Sequence, residues 1–290
     1  MKRRSPQWGN TGAETQTSTN TMKTTKTSVV TKSVLALAAV ASLNAFAGPK
    51  PASAACAACD GAPFSGSLSA DYTGALIFRG LDLGNNVLST NLNVSVPLAE
   101  GFSLSLGSSV ARGLSANGRR NGDFGFQWNT YSAGLNYDAG VVKVGLVYNQ
   151  YDNTQSSRQT ALGNSFNEIG LTVSASVGEI DFSGAVYRDL DNDSWYTQAS
   201  VGTSVEVTSA VKLVPSLVAG YGFSNYYAQQ STNPGDDGLT HVAANLAAPI
   251  KVTKNATLTP YASWNLTGDQ RAQNQHNSQL IGGLKFSVGF

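Results

Sequence analysis

The chain has 290 residues, 41% of them hydrophobic, and a formal net charge of +1. Charged residues make up only 13%, which leaves no basic stripe of the kind nucleic acid demands, and no stretch beyond the amino-terminal region reaches the roughly 18 apolar residues of a spanning helix. Thirty glycines, with abundant Ser, Thr and Asn, fit a strand-and-turn protein rather than a helical one.

Met22 stands directly before Lys23, Lys26 and Lys32. Residues 1–21 are therefore read as an over-called start or a disordered extension. The lysines form a positive n-region, and residues 34–43 are an apolar core of secretory-signal length. Small-residue cleavage motifs follow at Ala45-Phe46-Ala47 and Ala52-Ser53-Ala54. Residues 22–54 thus read as signal peptide and cleavage region, and residues 55–65 as a periplasmic lead-in. Cys56 and Cys59 stand in Cys-Ala-Ala-Cys followed by Asp60. A haem attachment site would need histidine at that next position, and zinc needs more ligands than two thiols. The readings left are a local disulfide in an oxidising periplasm, lipidation of Cys56, redox chemistry, or no role, with the disulfide as the expectation.

From residue 66 onward, apolar and polar side chains alternate in segments separated by turn signals. The spacing predicts strands at 67–78, 87–98, 102–112, 126–137, 141–151, 167–177, 180–188, 195–207, 211–223, 241–252, 256–266 and 278–290. Each is long enough to cross a bilayer at a tilt. Tight turns (99–101, 138–140, 178–179, 208–210, 253–255) alternate with longer polar loops (113–125, 152–166, 189–194, 224–240, 267–277). Short turns at one end and long loops at the other distinguish an outer-membrane barrel from a soluble sandwich. The predicted fold is all-β, a transmembrane antiparallel up-and-down β-barrel of about twelve strands spanning residues 66–290, with both termini in the periplasm.

Outward sets under this reading include Leu92, Val94, Val96; Val142, Val144, Leu146, Tyr148; Ile169, Leu171, Val173; and Leu213, Leu217, Tyr221, Phe223. Tyr137, Trp195 and Trp264 join Tyr148, Tyr221 and Phe223 near strand ends, where interfacial aromatics belong. The opposite face carries Ser103, Ser105, Gly107, Ser109; Gly170, Thr172, Ser174, Ser176; and Gly202, Ser204, Gly220, Gly222. Twelve strands lined by such small groups predict a narrow polar interior. Lumen charges gather toward the turn end: Asp181, Glu206 and Lys212 on successive strands, Lys143 low on the fifth, and Lys285 beside Asp71 once the last strand closes on the first. They read either as pairs that stitch the wall or as a weakly selective constriction.

The last strand ends in Leu284, Phe286, Val288 and Phe290 on one face. This terminal aromatic stripe resembles the insertion signal of Gram-negative outer-membrane β-barrels, and the resemblance implies the barrel-assembly machinery, membrane lipid and lipopolysaccharide as partners. Asp71-Tyr72 followed by Phe78-Arg79-Gly80 is similar to a Phe-Arg-Gly element of uncharacterised, porin-like outer-membrane families, although five residues (73–77) intervene here. Arg79 is expected to point inward near the outer rim, paired with a loop acid such as Asp82 or positioning an anionic solute. His276-Asn277-Ser278 resembles the His-x-Ser element of lipid A deacylases, in which histidine activates serine, but Gln279 stands where that family has Asn. The other histidine, His241, has no evident partner in sequence.

The expectation is a barrel in the cell outer membrane that passes small polar solutes passively, with no catalytic residues, metal or cofactor. The alternatives are a structural or surface-binding barrel without a pore, and a lipid hydrolase built on His276 and Ser278.

Overall fold

The computed structural model describes residues 64–114, 127–154, 165–223, 237–268 and 278–290. The expected signal peptide and cleavage region, Cys56, Cys59 and His276 lie outside the described residues, as do most of the expected long loops. The elements in chain order are β1 (Ser65–Phe78), β2 (Leu81–Ala99), β3 (Phe102–Gly113), β4 (Gln127–Asp138), β5 (Val142–Thr154), β6 (Ser165–Val177), β7 (Ile180–Asp189), β8 (Trp195–Thr203), β9 (Val205–Glu206), β10 (Lys212–Phe223), β11 (Gly238–Ala247), β12 (Ile250–Lys251), β13 (Ala256–Thr267) and β14 (Ser278–Gly289). The short β9 extends β8 past Ser204, and β12 extends β11 past Pro249, so these segments build twelve wall strands.

Every wall strand pairs antiparallel with its sequence neighbours, and β1 pairs with β14 to close the cylinder. Closure leaves no open sheet edge, the condition for a sheet to sit in hydrocarbon. The seam runs from Ser67↔Gly289 to Thr73↔Gly283. At its foot the Gly66 N–H donates to the Phe290 carbonyl at 2.8 Å, and the Phe290 N–H donates back at 3.0 Å. The Phe290 ring lies over Gly66, where a Cβ would come within 2.4 Å of it. Glycine opposite an aromatic lets the ring cover the backbone and pins the register.

The period of two is inverted relative to a soluble barrel. Leu92, Leu106, Leu135, Leu146, Leu171, Leu217, Leu246 and Leu284 stand exposed on the outside, while Ser69, Asn91, Thr130, Asn149, Thr172, Ser200, Asn245 and Asn265 are buried within. Soluble proteins rarely leave contiguous apolar patches of more than a few hundred Å², whereas an apolar outer band is what a membrane-spanning barrel presents. Tyr131, Tyr137, Tyr148, Trp195, Tyr221, Phe223 and Trp264 stand exposed among the outward residues.

The first hairpin departs from the expected pattern. The second strand, expected at 87–98, begins at Leu81. β1 pairs with β14 only as far as Thr73, and β2 pairs with β3 only from Val87. Between those points, residues 75–85 pair with each other (Ala75↔Asn85, Leu76↔Gly84, Ile77↔Asp82, Phe78↔Leu81) and with no other strand, while the Asn86 carbonyl at the base still accepts from the Leu114 N–H at 2.8 Å. They form a two-stranded ribbon that has left the wall. Gly84-Asn85-Asn86 reads locally as a loop, which is why sequence alone ends the strand there.

Candidate functional site

The ribbon folds into the lumen. Its tip is a two-residue turn with Arg79 at φ 50° and Gly80 at φ 86°, the geometry of a tight hairpin with both central residues left-handed. Gly80 is required twice over, because a Cβ there would lie 2.5 Å from the Thr240 carbonyl oxygen and 2.9 Å from His241 Cβ. Both of those residues sit on β11, where a bulge opposite Gly220/Tyr221 turns two consecutive side chains inward. Bulges re-aim side chains in this way, and here they form a stop for the tip. Neither neighbour of β1 in the wall supplies these contacts, so the tip crosses the lumen.

Arg79 carries the reach further. Its guanidinium donates to both carboxylate oxygens of Glu168 on β6, at 2.8 and 2.7 Å. It also lies over Tyr196 at 4.1 Å, Phe78 at 4.8 Å and Tyr187 at 4.9 Å from the ring centroids. The Glu168 side chain is fully buried, and that of Arg79 is 8% exposed. Removing two charges from water costs several kcal/mol each, so a buried pair persists only when its remaining hydrogen-bonding capacity is met. Glu168 also accepts from Asn149 Nδ2 at 2.9 Å and from the Tyr151 hydroxyl at 2.7 Å. This corrects the expected pairing of Arg79 with Asp82. Asp82, on the returning arm of the ribbon, instead accepts from Gln279 Nε2 of β14 at 3.1 Å.

One face of the ribbon packs on the inner wall. Leu76, Phe78, Leu81 and Leu83 join Val87, Ala111, Trp128, Tyr151 and Phe166 in a buried apolar cluster. Phe78 sits 5.1 Å from Trp128 and 5.5 Å from Tyr151, and Tyr151 stacks on Phe166 at 4.5 Å. Such ring pairs contribute about 0.5–1.5 kcal/mol each beyond their buried area. The loop end of the lumen is thus filled with large side chains, which corrects the expectation of a small-residue lining along its whole length.

Toward the turn end the lining is small and polar. Asn91 donates to Ser69, Asn136 to Ser105, Asn245 to Ser216, and Ser263 to Asn245, while Ser183 and Ser200 share a bond of 2.6 Å. Asn93 faces inward opposite Gly107 yet remains exposed, so this half of the lumen holds solvent. A cavity between the two zones has a mixed lining, polar at Asp71, Asn91, Gln198 and Asn265 and apolar at Val218 and Ile281, with Leu76, Phe78 and Arg79 of the ribbon beside it.

The sequence-predicted charges fall into separate groups. Asp71 is buried, accepts from the Tyr261 hydroxyl at 2.8 Å, and is the register partner of Lys285. Glu206 and Lys212 are register partners at the turn end, where Lys143 forms an ion pair with Asp138. Asp181 accepts from Ser176 at 2.6 Å. Arg79 is apart from all of these. His241 shares a bond of 3.0 Å with Thr240, and Ser278 opens β14.

Sequence reading missed Glu168, Tyr261 and the inward aromatics. The signal for Glu168 was present, since it stands two residues before Gly170 in the alternation that had already placed Gly170, Thr172 and Ser174 inside. The same count carries Asn149 to Tyr151 on β5 and Ala185 to Tyr187 on β7. No pattern along the chain tells which lumen wall a ribbon tip will meet.

No protein-family model matches the chain, and no curated protein matches it in sequence. Solved structures do match in fold. An outer membrane channel from Pseudomonas putida superposes with a TM-score of 0.51 at 14% identity, over 78% of this chain and 95% of that one. The KdgM porin gives 0.43 at 11% identity over 78% and 99%, and LpxR from Salmonella typhimurium gives 0.47 at 9% over 77% and 99%. At such identities the likeness is one of fold. The superposition on the Pseudomonas putida channel, together with the closed wall and its apolar exterior, makes the fold of this chain that of an outer-membrane-type transmembrane β-barrel.

Proposed function

We propose that this barrel passes small polar solutes across the outer membrane without cofactor or covalent chemistry, its termini on the periplasmic side. The observation that carries the reading is the small, polar inner face of the turn-end half, where Asn93 faces inward and stays exposed beside Gly107, below a cavity of mixed polar and apolar lining under the ribbon. A barrel that served only as a scaffold could fill twelve strands with packed apolar side chains, as smaller barrels do. In this reading Asp71 and Lys285 mark the midpoint of the path, with Lys143, Asp181, Glu206 and Lys212 along the mouth at the turn end. Leu284, Phe286, Val288 and Phe290 form the outward stripe assigned to membrane insertion by the assembly machinery.

A second reading, a structural or surface-binding barrel without a pore, is favoured by the apolar cluster that fills the loop end. Liposome swelling with a graded series of neutral sugars and polyols separates the two. Swelling that slows with solute size supports passage and sets the limit. No swelling with the smallest solute, from either the natural chain or one with the ribbon shortened, supports the sealed barrel.

A further inference from the structure

We infer that residues 74–86 form a gate, with Arg79 and Glu168 as its latch; this rests on the passage reading. The ribbon pairs with the wall strands only at its base, through Thr73 and Val87 and the Leu114–Asn86 backbone bond, so residues 75–85 can leave the lumen as a unit without breaking a wall ladder. The base is built to bend, with Gly74 on one arm and, on the other, Gly84 and Asn86, the latter at φ 52°. The contacts that hold the ribbon inside include the Arg79–Glu168 pair, the three rings around the guanidinium, the Gln279–Asp82 bond, the apolar cluster, and the tip's seat on Thr240 and His241.

The far side of the latch is prepared for release. When Arg79 departs, Glu168 keeps Asn149 and Tyr151 as donors, so the wall retains partners for its buried acid. The inward position is favoured because withdrawal also exposes Leu76, Phe78, Leu81 and Leu83, so the open state is a minor one. Withdrawal opens the cavity beneath the ribbon to the loop end and completes the path. The arrangement is that of a two-state element biased by one buried ion pair.

The test is single-channel recording in planar bilayers in potassium chloride. The natural chain is compared with Glu168→Gln, with Arg79→Gln, and with a variant in which residues 75–85 are replaced by an Asn-Gly turn. Heat-modifiable gel mobility confirms that each is a folded barrel, and either latch variant serves if the other does not fold. The natural chain is expected to show brief, rare openings. The latch variants raise open probability by at least about tenfold, the effect of removing one partner of a buried pair, and the shortened ribbon conducts continuously. If the shortened ribbon conducts but the natural chain already shows the same continuous step, the ribbon is no gate. If the latch variants match the natural chain while the shortened ribbon conducts more, Arg79–Glu168 is no latch. Silence from the folded, shortened variant overturns the passage reading itself.

Discussion

Replacing Leu171 with arginine tests whether lipid, rather than protein, covers the outer face. Leu171 lies mid-strand on β6 and is 56% exposed, flanked across the sheet by Leu146 and Val186. Val177 lies on the same face six residues on, at the strand's turn end, and is 63% exposed. Six residues at about 3.4 Å each make roughly 20 Å along the strand, and a tilt of about 40° turns that into some 15 Å along the membrane normal. That is half the ~30 Å hydrocarbon thickness, so a central Leu171 puts Val177 at the interface. Arginine costs about 2–4 kcal/mol at the midplane and about 0–1 kcal/mol near the interface. Leu171→Arg should therefore lower the folding equilibrium by about 30- to 700-fold, and Val177→Arg by little. Urea titration of folding into lipid vesicles reads both. Equal losses at the two positions, or a loss at Leu171 below about 0.5 kcal/mol, as at an ordinary water-facing site, refute lipid contact.

Other expectations follow from the seam and the cavity. Tyr261→Phe removes the hydroxyl that donates to Asp71 at 2.8 Å and should cost about 1.5–3 kcal/mol in the same titration; no measurable cost means the bond is not formed in the membrane. Gly66→Val drives a side chain into the Phe290 ring and should destabilise closure by about 1–3 kcal/mol, with Phe290→Ala in the same chain recovering part of the loss. Purely additive losses would show that the two do not touch. Lys285→Met leaves Asp71 without its cross-strand cation and should shift the reversal potential of the ribbon-shortened barrel toward cation preference in a salt gradient. An unchanged potential places both residues off the ion path.

Much of the wall was legible because barrels obey local rules. The outward set Val142, Val144, Leu146 and Tyr148 and the inward set Gly170, Thr172 and Ser174 follow from a period of two and need no knowledge of neighbours. The alternation of short turns with long loops identified the architecture, since a strand that crosses a membrane returns by the shortest path on one side. The ribbon was not legible. Residues 81–85 satisfy their backbone by pairing with β1 alone, and the Gly-Asn-Asn sequence at 84–86 carries the same signal as a surface loop. Proximity in sequence points Arg79 to Asp82, whereas its partner Glu168 lies 89 positions away on β6.

The amino-acid sequence by itself determined the strand periodicity, the number of crossings and the oily exterior, because each is a property of residues two apart or of one hairpin. Tertiary structure alone decided that the first hairpin turns inward, that Glu168 receives its arginine, and that the loop end is filled while the turn end stays wet. Those depend on closing the cylinder, which brings opposite walls within reach of a side chain and sets the cost of a buried charge against the partners that happen to face it.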